Sequence, residues 1–401
     1  MKRVLFTATC LITVLSLFVT LSKGGEIIDL HSEAYKLKFP SKDIEQKEIK
    51  AGITITKDNY QNYLQSLKEY LGAAAYITVV DGLVRGAFTV PVVKTRNYPQ
   101  PVERYRATMK NKGKARVGKD NSLIGWVSGQ PFPEPKKGAE AAWNYDRRNM
   151  VTDQFTFWAD YLLFAKGGEK EREFRWLYHN YYYNGRLMVK PIPEVLENNG
   201  KIRMKESFVI TEPYDIKSFA MIRTRYEAID KFDAVYSYIP AIRRLRRLTG
   251  ADLTDPLFGS DQAYDEFELC RQKITPDMTF SLQEKDVLVP THLVSKKVSY
   301  SREDILPVVK GNCVQWDWEI RPVSILGITV NNPDYPISRR VIYMEKIRQT
   351  GVGFSTEIYD QRGRLWKGQS MIVNAMMDGP TYANIGWMIG RYDTLLKGHS
   401  T

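Results

Sequence analysis

The stretch Glu173–Val189 reads E-F-R-W-L-Y-H-N-Y-Y-Y-N-G-R-L-M-V and predicts how this chain folds. Aromatic residues such as Trp176 and Tyr178 recur at every second position, which is the side-chain period of a β-strand. Asn184-Gly185 then separates this run from a second apolar run. Such a pair between two strands predicts a β-hairpin, because both turn residues need positive φ. We therefore expect an antiparallel sheet here.

Further short runs of strand-like composition follow and are separated by turn residues. They are Glu206–Thr211, Ser218–Ala228, Ala234–Ile239, Val287–Val294, Arg339–Ile347, Phe354–Tyr359 and Arg364–Ile372. The last two flank Asp360–Gly363 (D-Q-R-G), which predicts a second hairpin. Many short strands with turns between them favour a mainly β, antiparallel architecture over alternating βαβ units.

Helices are predicted chiefly before this β-rich part. Thr56–Leu71 carries aromatic and leucine residues at helical spacing and is followed by Gly72, which predicts an amphipathic helix that packs on the protein body or on a membrane. Two shorter helices are predicted at Gly138–Met150 and Asp153–Ala165, and the second is apolar nearly all round, as in a buried helix. The basic, glycine-bearing stretch Lys110–Lys119 predicts an exposed loop.

The N-terminus has the order of a secretory signal peptide. A short basic start precedes the apolar run Val4–Ser22, and small residues follow at Gly24 and Gly25. A retained membrane anchor is the alternative, because the run is just long enough to span a bilayer. We expect residues 1–25 to be the signal peptide, residues 26–100 a helical or extended segment that packs on the body, and residues 101–401 the β domain.

Charge and composition restrict the partners. The chain has 58 Lys and Arg against 46 Asp and Glu, a formal net charge of +12. Such a balance attracts polyanions. Nucleic acid is not an expected partner, because the predicted signal peptide directs the protein out of the cytoplasm. Anionic lipid headgroups are the expected target; the alternative is that the charge only maintains solubility. Cys270 and Cys313 remain after removal of the signal peptide, and they predict either one disulfide or two buried thiols.

The known catalytic motifs are missing from the sequence. It contains no phosphate-binding loop, no nucleophile elbow and no H-E-x-x-H zinc helix. Its four histidines are far apart along the chain, so no metal site is predicted. We expect no catalytic residue and no cofactor. Carboxylate pairs that meet only in space would escape such a search, and an envelope hydrolase therefore stays open as an alternative.

The stretch 235–268 carries the strongest local signal. Tyr236 and Tyr238 lie on a strand that Pro240 ends. An arginine stripe follows, and the next loop is acidic. The stripe is Arg243, Arg244, Arg246 and Arg247, and the loop contains Asp252, Asp255, Asp261, Asp265 and Glu266. The loop folds back onto the stripe as an internal ion-pair network, or the arginines hold a phosphate or carboxylate headgroup at the mouth of a cavity. A metal at the aspartates is a third interpretation, although their spacing does not fit a calcium loop.

Three segments in order resemble one protein family. They are Y-I-P-A-I-R-R-L-R-R-L with D-P-L-F-G-S-D-Q-A-Y-D-E-F (Tyr238–Phe267), G-Q-P-F-P-E-P-K-K-G-A-E-A-A-W-N (Gly129–Asn144), and R-R-V-I-Y-M-E with I-Y-D-Q-R-G-R-L-W-K (Arg339–Lys367). The chain resembles the outer-membrane lipoprotein-sorting superfamily of LolA and LolB, and in particular its branch known as domain of unknown function 1329. The resemblance spans roughly residues 90–375. The tyrosine-rich stretch around Asn184 matches none of these motifs.

The resemblance implies a half-open barrel, in which a curved antiparallel sheet has helices covering its concave side. It implies a protein that is periplasmic or associated with the outer membrane. Partners would be a lipid or apolar small molecule, an RND-type inner-membrane exporter and an outer-membrane β-barrel protein. No catalytic residue is implied.

Three functions remain open from the sequence. The first is a non-enzymatic carrier in which an apolar ligand contacts Trp176, Tyr178, Tyr236, Tyr238 and the arginine stripe. The second is a structural component of an exporter complex without a ligand of its own, whose aromatic residues simply fill a core. The third, an envelope hydrolase, has the weakest basis. A barrel too large to be filled by its own side chains encloses a ligand cavity, which is the feature that separates the first from the second.

Overall fold

The computed structural model describes residues 49–96, 102–148, 152–165, 168–249, 251–291, 293–295, 309–310, 313–346, 352–376, 385–394 and 399–400. The signal peptide predicted in residues 1–25 lies outside these ranges, as do residues 26–48 of the predicted N-terminal segment. No helix in the described part of the chain has the length and apolar character needed to span a membrane.

Strands dominate the described residues. In chain order they are β1 Thr54–Ile55, β2 Val90–Pro91, β3 Arg116–Val117, β4 Leu123–Ile124, β5 Gln154–Phe164, β6 Lys170–Tyr182, β7 Ile202–Glu212, β8 Ala220–Tyr226, β9 Ala234–Ile239, β10 Arg244–Leu248, β11 Met278–Pro290, β12 Leu293–Ser295, β13 Val309–Lys310, β14 Cys313–Val314, β15 Trp318–Val330, β16 Ile337–Glu345, β17 Gly353–Asp360, β18 Leu365–Met376, β19 Ile385–Thr394 and β20 His399–Ser400.

Helices are few and short. The α-helices in the described ranges are α1 Leu64–Tyr70, α2 Ala73–Arg85, α3 Val102–Asn111 and α4 Gly138–Asp146. Turns of 3₁₀-helix occur at Tyr60–Tyr63, Tyr214–Ile216, Pro240–Ile242, Ala251–Thr254 and Tyr264–Leu269.

One large sheet organises the chain. Its strand order is β10-β9-β8-β7-β6-β5-β20-β19-β18-β17-β16-β15-β11, and each neighbouring pair on this path is antiparallel, while β12 pairs in parallel with β18. Among the strands that the structure describes, the sheet is curved and does not close, because β10 and β11 end it. The two halves meet at a narrow junction, where Ser400 of β20 pairs with Phe164 of β5. This arrangement confirms the half-open barrel.

The helices lie on both faces of the half that runs from β11 to β18. Ile342 on β16 packs in one apolar cluster with Trp143 of α4. The neighbouring Tyr343 points the other way and donates a hydrogen bond of 2.8 Å to Glu357. The same Glu357 carboxylate accepts a hydrogen bond from the Ala73 backbone N–H at the start of α2, where a negative charge is favourable. Successive strand residues point to opposite faces, so α4 and α2 cover opposite sides of the sheet.

Residues 49–96 pack on the end of β11 and β15. Leu67 of α1 and Val79 and Leu83 of α2 share an apolar cluster with Trp318 and Ile320 of β15. The predicted helix Thr56–Leu71 is thus present, but its first turns are irregular and 3₁₀-helical. The longer helix α2 has no counterpart among our sequence predictions.

The prediction of a helix at Asp153–Ala165 was wrong. Residues Gln154–Phe164 form β5, which pairs antiparallel with β6, for example Asp160 with Arg175. The helical period of 3.6 residues and the strand period of two residues both fit a run this rich in aromatic residues. The strand is formed because Thr156 and Trp158 face outward while their neighbours face the core, which is the alternation that a sheet face requires.

The two-residue hairpin predicted at Asn184-Gly185 was also wrong. Strand β6 pairs instead with β7, which begins only at Ile202, for example through Tyr182 and Met204. Gly185 has a φ of +66° but Asn184 does not have a positive φ, so the turn that the pair favours is not formed.

Buried ionic groups organise the segment after Gly185 instead. The Asp153 carboxylate accepts hydrogen bonds of 2.6–3.0 Å from the backbone N–H groups of Leu187, Met188 and Val189. The guanidinium of Arg186 donates to the Tyr182 carbonyl at 2.6 Å. By contrast, the hairpin at Asp360–Gly363 joins β17 to β18 as expected, with the Gly363 N–H donating to the Asp360 carbonyl at 2.9 Å.

Candidate functional site

The face of β5 to β9 that carries Trp176 is lined with aromatic rings, and we call it the inner face. The aromatic layer consists of Phe155, Phe157 and Tyr161 on β5, Trp176 and Tyr178 on β6, and Phe208 on β7. Ring centroids lie 5.0 Å apart between Phe157 and Tyr178, 5.3 Å between Tyr161 and Trp176, and 5.8 Å between Trp176 and Phe208. These separations are those of favourable aromatic pairs.

A single segment of the chain covers most of this layer. The cover segment, residues 252–269, places Leu253, Phe258, Tyr264 and Phe267 against the rings, and Phe267 meets Trp176 edge-on at 5.7 Å. It has no strand and only two 3₁₀ turns. An ordinary loop thus provides the contacts that a helix or second sheet provides elsewhere in the molecule.

The cover segment holds unusual backbone conformations. Phe258, Glu268 and Leu269 have φ values of +54°, +50° and +70°. Non-glycine residues with positive φ store strain, and the surrounding structure must hold them in place. Lys367 provides one such restraint, because its ammonium donates hydrogen bonds of 2.9 and 3.1 Å to the buried Glu266 carboxylate.

The aromatic layer is open at one end. Phe155 and Phe157 are only half-buried, whereas Trp176 and Tyr178 are buried beneath the cover segment. Phe155 and Phe157 stack at 5.8 Å, and Phe155 also lies 6.0 Å from Tyr178. A continuous row of rings therefore leads from partly solvent-accessible positions on β5 to covered positions on β6.

A buried ionic network lies beside the aromatic layer on the same inner face. Within the described residues it joins six arginines to six carboxylates: Arg147, Arg148, Arg203, Arg223, Arg225 and Arg271 with Asp146, Glu206, Glu227, Asp233, Asp265 and Glu268. Each of these groups thus has an ionic partner of opposite charge within the fold. The network positions α4 and the cover segment against β7 and β8.

Glu206 is at the centre of this network and is completely buried. Its carboxylate pairs with Arg223 and Arg271 and accepts hydrogen bonds from Tyr264 and from Tyr178, the latter at 2.5 Å. Burial alone would raise the pKa of Glu206. The two guanidiniums and the two hydroxyls outweigh that effect and hold the pKa well below its ordinary value.

The pKa values of the groups that contact Glu206 shift in the opposite direction. Burial, followed by the nearby Glu206 charge, raises the pKa of the Tyr264 phenol above its ordinary value. Burial would lower the pKa of Arg271, but Glu206 and Glu268 raise it well above the usual range. All these shifts favour fixed charges and a neutral phenol at neutral pH. The cluster is therefore suited to holding structure rather than to exchanging protons.

The predicted ligand contacts divide between the two faces of the sheet. Trp176 and Tyr178 lie on the inner face, within the aromatic layer. Tyr236 and Tyr238 alternate with the buried Val235 and Ser237 on β9 and point to the outer face, where Tyr236 is exposed. The structure therefore does not bring the four aromatic residues together.

The arginine stripe also divides. It forms β10, whose residues Arg244, Arg246 and Leu248 pair with inner-face positions of β9, while Arg247 pairs with Tyr236. Arg243 has a φ of +52° and ends the turn before this strand. All four arginines are exposed. Leu248 belongs to the cluster of the aromatic layer, so Arg244 and Arg246 lie at the rim of the same face.

The acidic loop contacts the stripe at one described ion pair, Arg246 with Asp252 at 2.9 Å. Asp265 is buried and lies 3.9 Å from Arg223 instead. The Asp261 backbone carbonyl accepts a hydrogen bond from Lys367, and Asp255 is exposed. The acidic residues therefore serve mainly to fasten the cover segment to other parts of the fold.

Cys270 is a free and buried thiol, which does not support a disulfide with Cys313, one of the two alternatives that the sequence left open. The side chain of Cys313 lies outside the described residues. In the part of the chain that the structure describes, no group of three or more His, Cys, Asp or Glu side chains is arranged to hold a metal ion.

Sequence reasoning missed the buried arginines. Arg223 and Arg225 occupy alternate positions of the predicted strand Ser218–Ala228. Arg203 lies just before the predicted strand Glu206–Thr211. All three arginines are buried. Arginine is rarely buried unless it is paired, so an isolated arginine on a strand gives no signal of burial. Met221 is two residues before Arg223, and residues two apart on a strand share a face of the sheet. This was the one local indication that Arg223 points inward.

The family described as "Protein of unknown function (DUF1329)" matches residues 54–394. The chain belongs to this family. The match begins well before residue 90, the approximate start of the resemblance seen in the sequence, and it includes β1, α1 and α2. No curated protein sequence matches the chain.

Solved structures of low identity resemble this DUF1329 protein. A DUF1329 family protein from Desulfovibrio piger is 15% identical, with a TM-score of 0.43 over 66% of this chain and 87% of that one. A putative outer membrane lipoprotein-sorting protein domain from Vibrio parahaemolyticus is 17% identical, with a TM-score of 0.43 over 66% and 88%. A LolA superfamily protein from Nitrosomonas europaea is 13% identical, with a TM-score of 0.38 over 66% and 90%.

Proposed function

We propose that this DUF1329 protein is a non-enzymatic carrier of the bacterial envelope that binds the acyl part of a lipid, or another apolar ligand, on the aromatic layer. The observation that supports this is the row of rings from half-buried Phe155 and Phe157 to buried Tyr178. The ligand first contacts the accessible end and then displaces the cover segment. Burial of acyl surface at about 25 cal/mol per Å² drives binding.

The strained backbone of the cover segment supports this mode of binding. Positive φ at Phe258, Glu268 and Leu269 costs about 1–3 kcal/mol per residue. Release of this strain would offset part of the packing energy that is lost when the segment moves away from Trp176. The cover segment then occupies the aromatic layer until the ligand displaces it.

Arg244 and Arg246 are proposed to contact an anionic headgroup. Both are exposed, and both lie on the face of β10 that also carries Leu248 of the aromatic cluster. A lipid whose chain lies along the rings would bring its phosphate to this rim. Guanidiniums bind phosphate through paired N–H groups and retain their charge at every physiological pH.

The first test compares two neighbours on β5. Phe157→Asp places a charge in the row of rings, whereas Trp158→Asp changes the outward face, where Trp158 is 61% exposed. Native mass spectrometry with organic extraction should find lipid on the wild type and on Trp158→Asp. We expect at least about tenfold less on Phe157→Asp, because an unpaired charge is poorly tolerated in an apolar site.

Near-ultraviolet circular dichroism would verify that both variants are folded. Lipid retained equally by folded Phe157→Asp and by Trp158→Asp would contradict the proposed location of the ligand. A wild-type protein that carries no extractable apolar molecule, and takes up none from vesicles, would contradict the carrier function itself.

The second test uses the alternation of β10. Arg244→Glu should weaken binding of an anionic amphiphile about 10- to 100-fold, because a hydrogen bond to a charged group contributes about 1.5–3 kcal/mol. Arg247→Glu makes the same change of charge on the opposite face and should have little effect at 0.15 M salt. Titration with a short-chain phosphatidylglycerol would measure both. Equal losses in the two variants would indicate general charge attraction rather than a headgroup site.

A structural role in an exporter complex is the second candidate. It is favoured by the cover segment, whose own side chains occupy the aromatic layer, and by the exposed apolar residues Ile242 and Leu245 at the β10 end of the sheet. An RND-type exporter or an outer-membrane β-barrel protein would then contact this end. This candidate predicts a protein without extractable lipid, which the first test would reveal.

A further inference from the structure

Arg104 is a buried cation that the ionic network does not neutralise. It lies in the first turn of α3 and is 2% exposed. In the described residues its one hydrogen bond is a long contact of 3.4 Å from Nη1 to the Arg147 carbonyl, and its Nε and Nη2 atoms have no partner. The preceding Glu103 lies 4.0 Å from Arg106 instead.

A second arginine close to Arg104 adds to the uncompensated positive charge. Arg104 is repelled by the charge of Arg148, which is itself buried and has an unpartnered Nε. Arg148 already contacts Glu268 at 3.5 Å, and the network to which it belongs contains as many carboxylates as arginines. Burial lowers the pKa of Arg104 to about 10; Tyr182 opposes this effect and the Arg148 charge adds to it, so the group remains charged at neutral pH.

Tyr182 adds a neutral donor to the same place. It is buried at the end of β6, close enough to Arg104 and Arg148 for its phenol to interact with both charges. Its hydroxyl makes no hydrogen bond with the described residues. Because an uncompensated buried charge is costly unless it is paired and hydrogen-bonded, two guanidiniums and a phenol with free donors favour an oxyanion between them.

We infer that Arg104, Arg148 and Tyr182 form a buried binding site for an oxyanion, either phosphate or carboxylate. The anion would accept hydrogen bonds from Arg104 Nε and Nη2, from Arg148 Nε and from the Tyr182 hydroxyl. The site is distinct from the arginine stripe on β10, and it does not depend on the proposed carrier function. The oxyanion is either a free anion or the headgroup of an amphiphile.

The test measures the melting temperature of the mature protein in chloride buffer at constant ionic strength, with and without up to 10 mM inorganic phosphate. Ligand that binds only the folded state raises the melting temperature by mass action. We expect a rise of about 2–4 °C for the wild type, a smaller rise for Tyr182→Phe and none for Arg104→Met. Arg106→Met, on the same helix, is the control and should retain the full rise.

Arg104→Met should also melt at the same temperature as the wild type, or higher, in phosphate-free buffer. This is because the variant removes a charge that lacks a counterion. That result separates a binding role from a structural one, in which loss of Arg104 lowers the melting temperature. If Arg104→Met does not fold, Tyr182→Phe carries the test, with an expected loss of phosphate affinity of about three- to tenfold by calorimetry, the effect of one hydrogen bond.

A parallel titration with short-chain phosphatidic acid distinguishes the two sources of the anion. A response to inorganic phosphate assigns the site to a free anion, and a response to the amphiphile alone assigns it to a headgroup. Both outcomes support the site if Arg104→Met abolishes them. An equal response of wild type and Arg104→Met to both ligands, or no response of the wild type to either, would overturn the inference. Since the phosphate arm contains no lipid, its result is independent of whether the aromatic layer binds one.

Discussion

Replacement of Glu206 by Gln will lower the free energy of unfolding by about 3–5 kcal/mol. Glutamine has nearly the same shape, but it leaves Arg223 and Arg271 without the charge that both contact. A buried ion pair is costly to break because the remaining partner stays buried and uncompensated. Urea denaturation at pH 7 would measure the loss.

Glu171→Gln is the matched control. Glu171 lies on β6, next to β7, and is exposed, so its replacement should change the free energy of unfolding by less than about 0.5 kcal/mol. A Glu206→Gln variant as stable as this control would mean that the network does not hold α4 and the cover segment against the sheet.

The pH dependence of the same variant follows from the sign of the shift. The pKa of Glu206 in the folded protein lies below its ordinary value of 4.5. Its contribution to stability is therefore fully present above pH 4.5 and is lost as the pH falls through the folded-state value. The stability difference between wild type and Glu206→Gln should be constant from pH 7 to about 5 and should shrink at lower pH.

Replacement of Glu266 by Gln should release the cover segment without unfolding the sheet. Glu266 and Lys367 form a buried pair that joins this segment to β18, and Glu266 also accepts a hydrogen bond of 2.9 Å from the Ala263 N–H. Loss of such a pair costs about 3–5 kcal/mol, which corresponds to amide exchange faster by at least about 100-fold where the opening is local.

Hydrogen-exchange mass spectrometry would locate the change in residues 252–269, with β15 and β16 unaffected. Glu284→Gln is the control, because Glu284 forms an exposed pair with Lys346, and exposed pairs contribute about 0–1 kcal/mol. In the carrier mechanism, Glu266→Gln also exchanges lipid faster than the wild type. Uniformly faster exchange over the whole sheet would show that the segment is part of the global core and not a separable cover.

The two errors in secondary structure have a common cause. Residues 154–164 carry aromatic side chains at both helical and alternating positions, and Asn184-Gly185 follows a strand that a true hairpin could have extended. In each case the local sequence permits two structures. The pairing of β6 with β7 and the hydrogen bonds that join Asp153 to the backbone of Leu187–Val189 decide between them, and these hydrogen bonds connect residues 34 to 36 positions apart in the sequence.

Local patterns were enough to predict the antiparallel β architecture, the Asp360–Gly363 hairpin, helix α4 and the family, because each depends on a periodicity or on motifs within a few tens of residues. Long-range packing places Trp176 and Tyr178 under the cover segment while Tyr236 faces outward, and it buries Arg104 beside Arg148. Burial and charge compensation are properties of side chains brought together from distant parts of the chain. The free energy of a buried arginine depends on those neighbours and not on its position in the sequence.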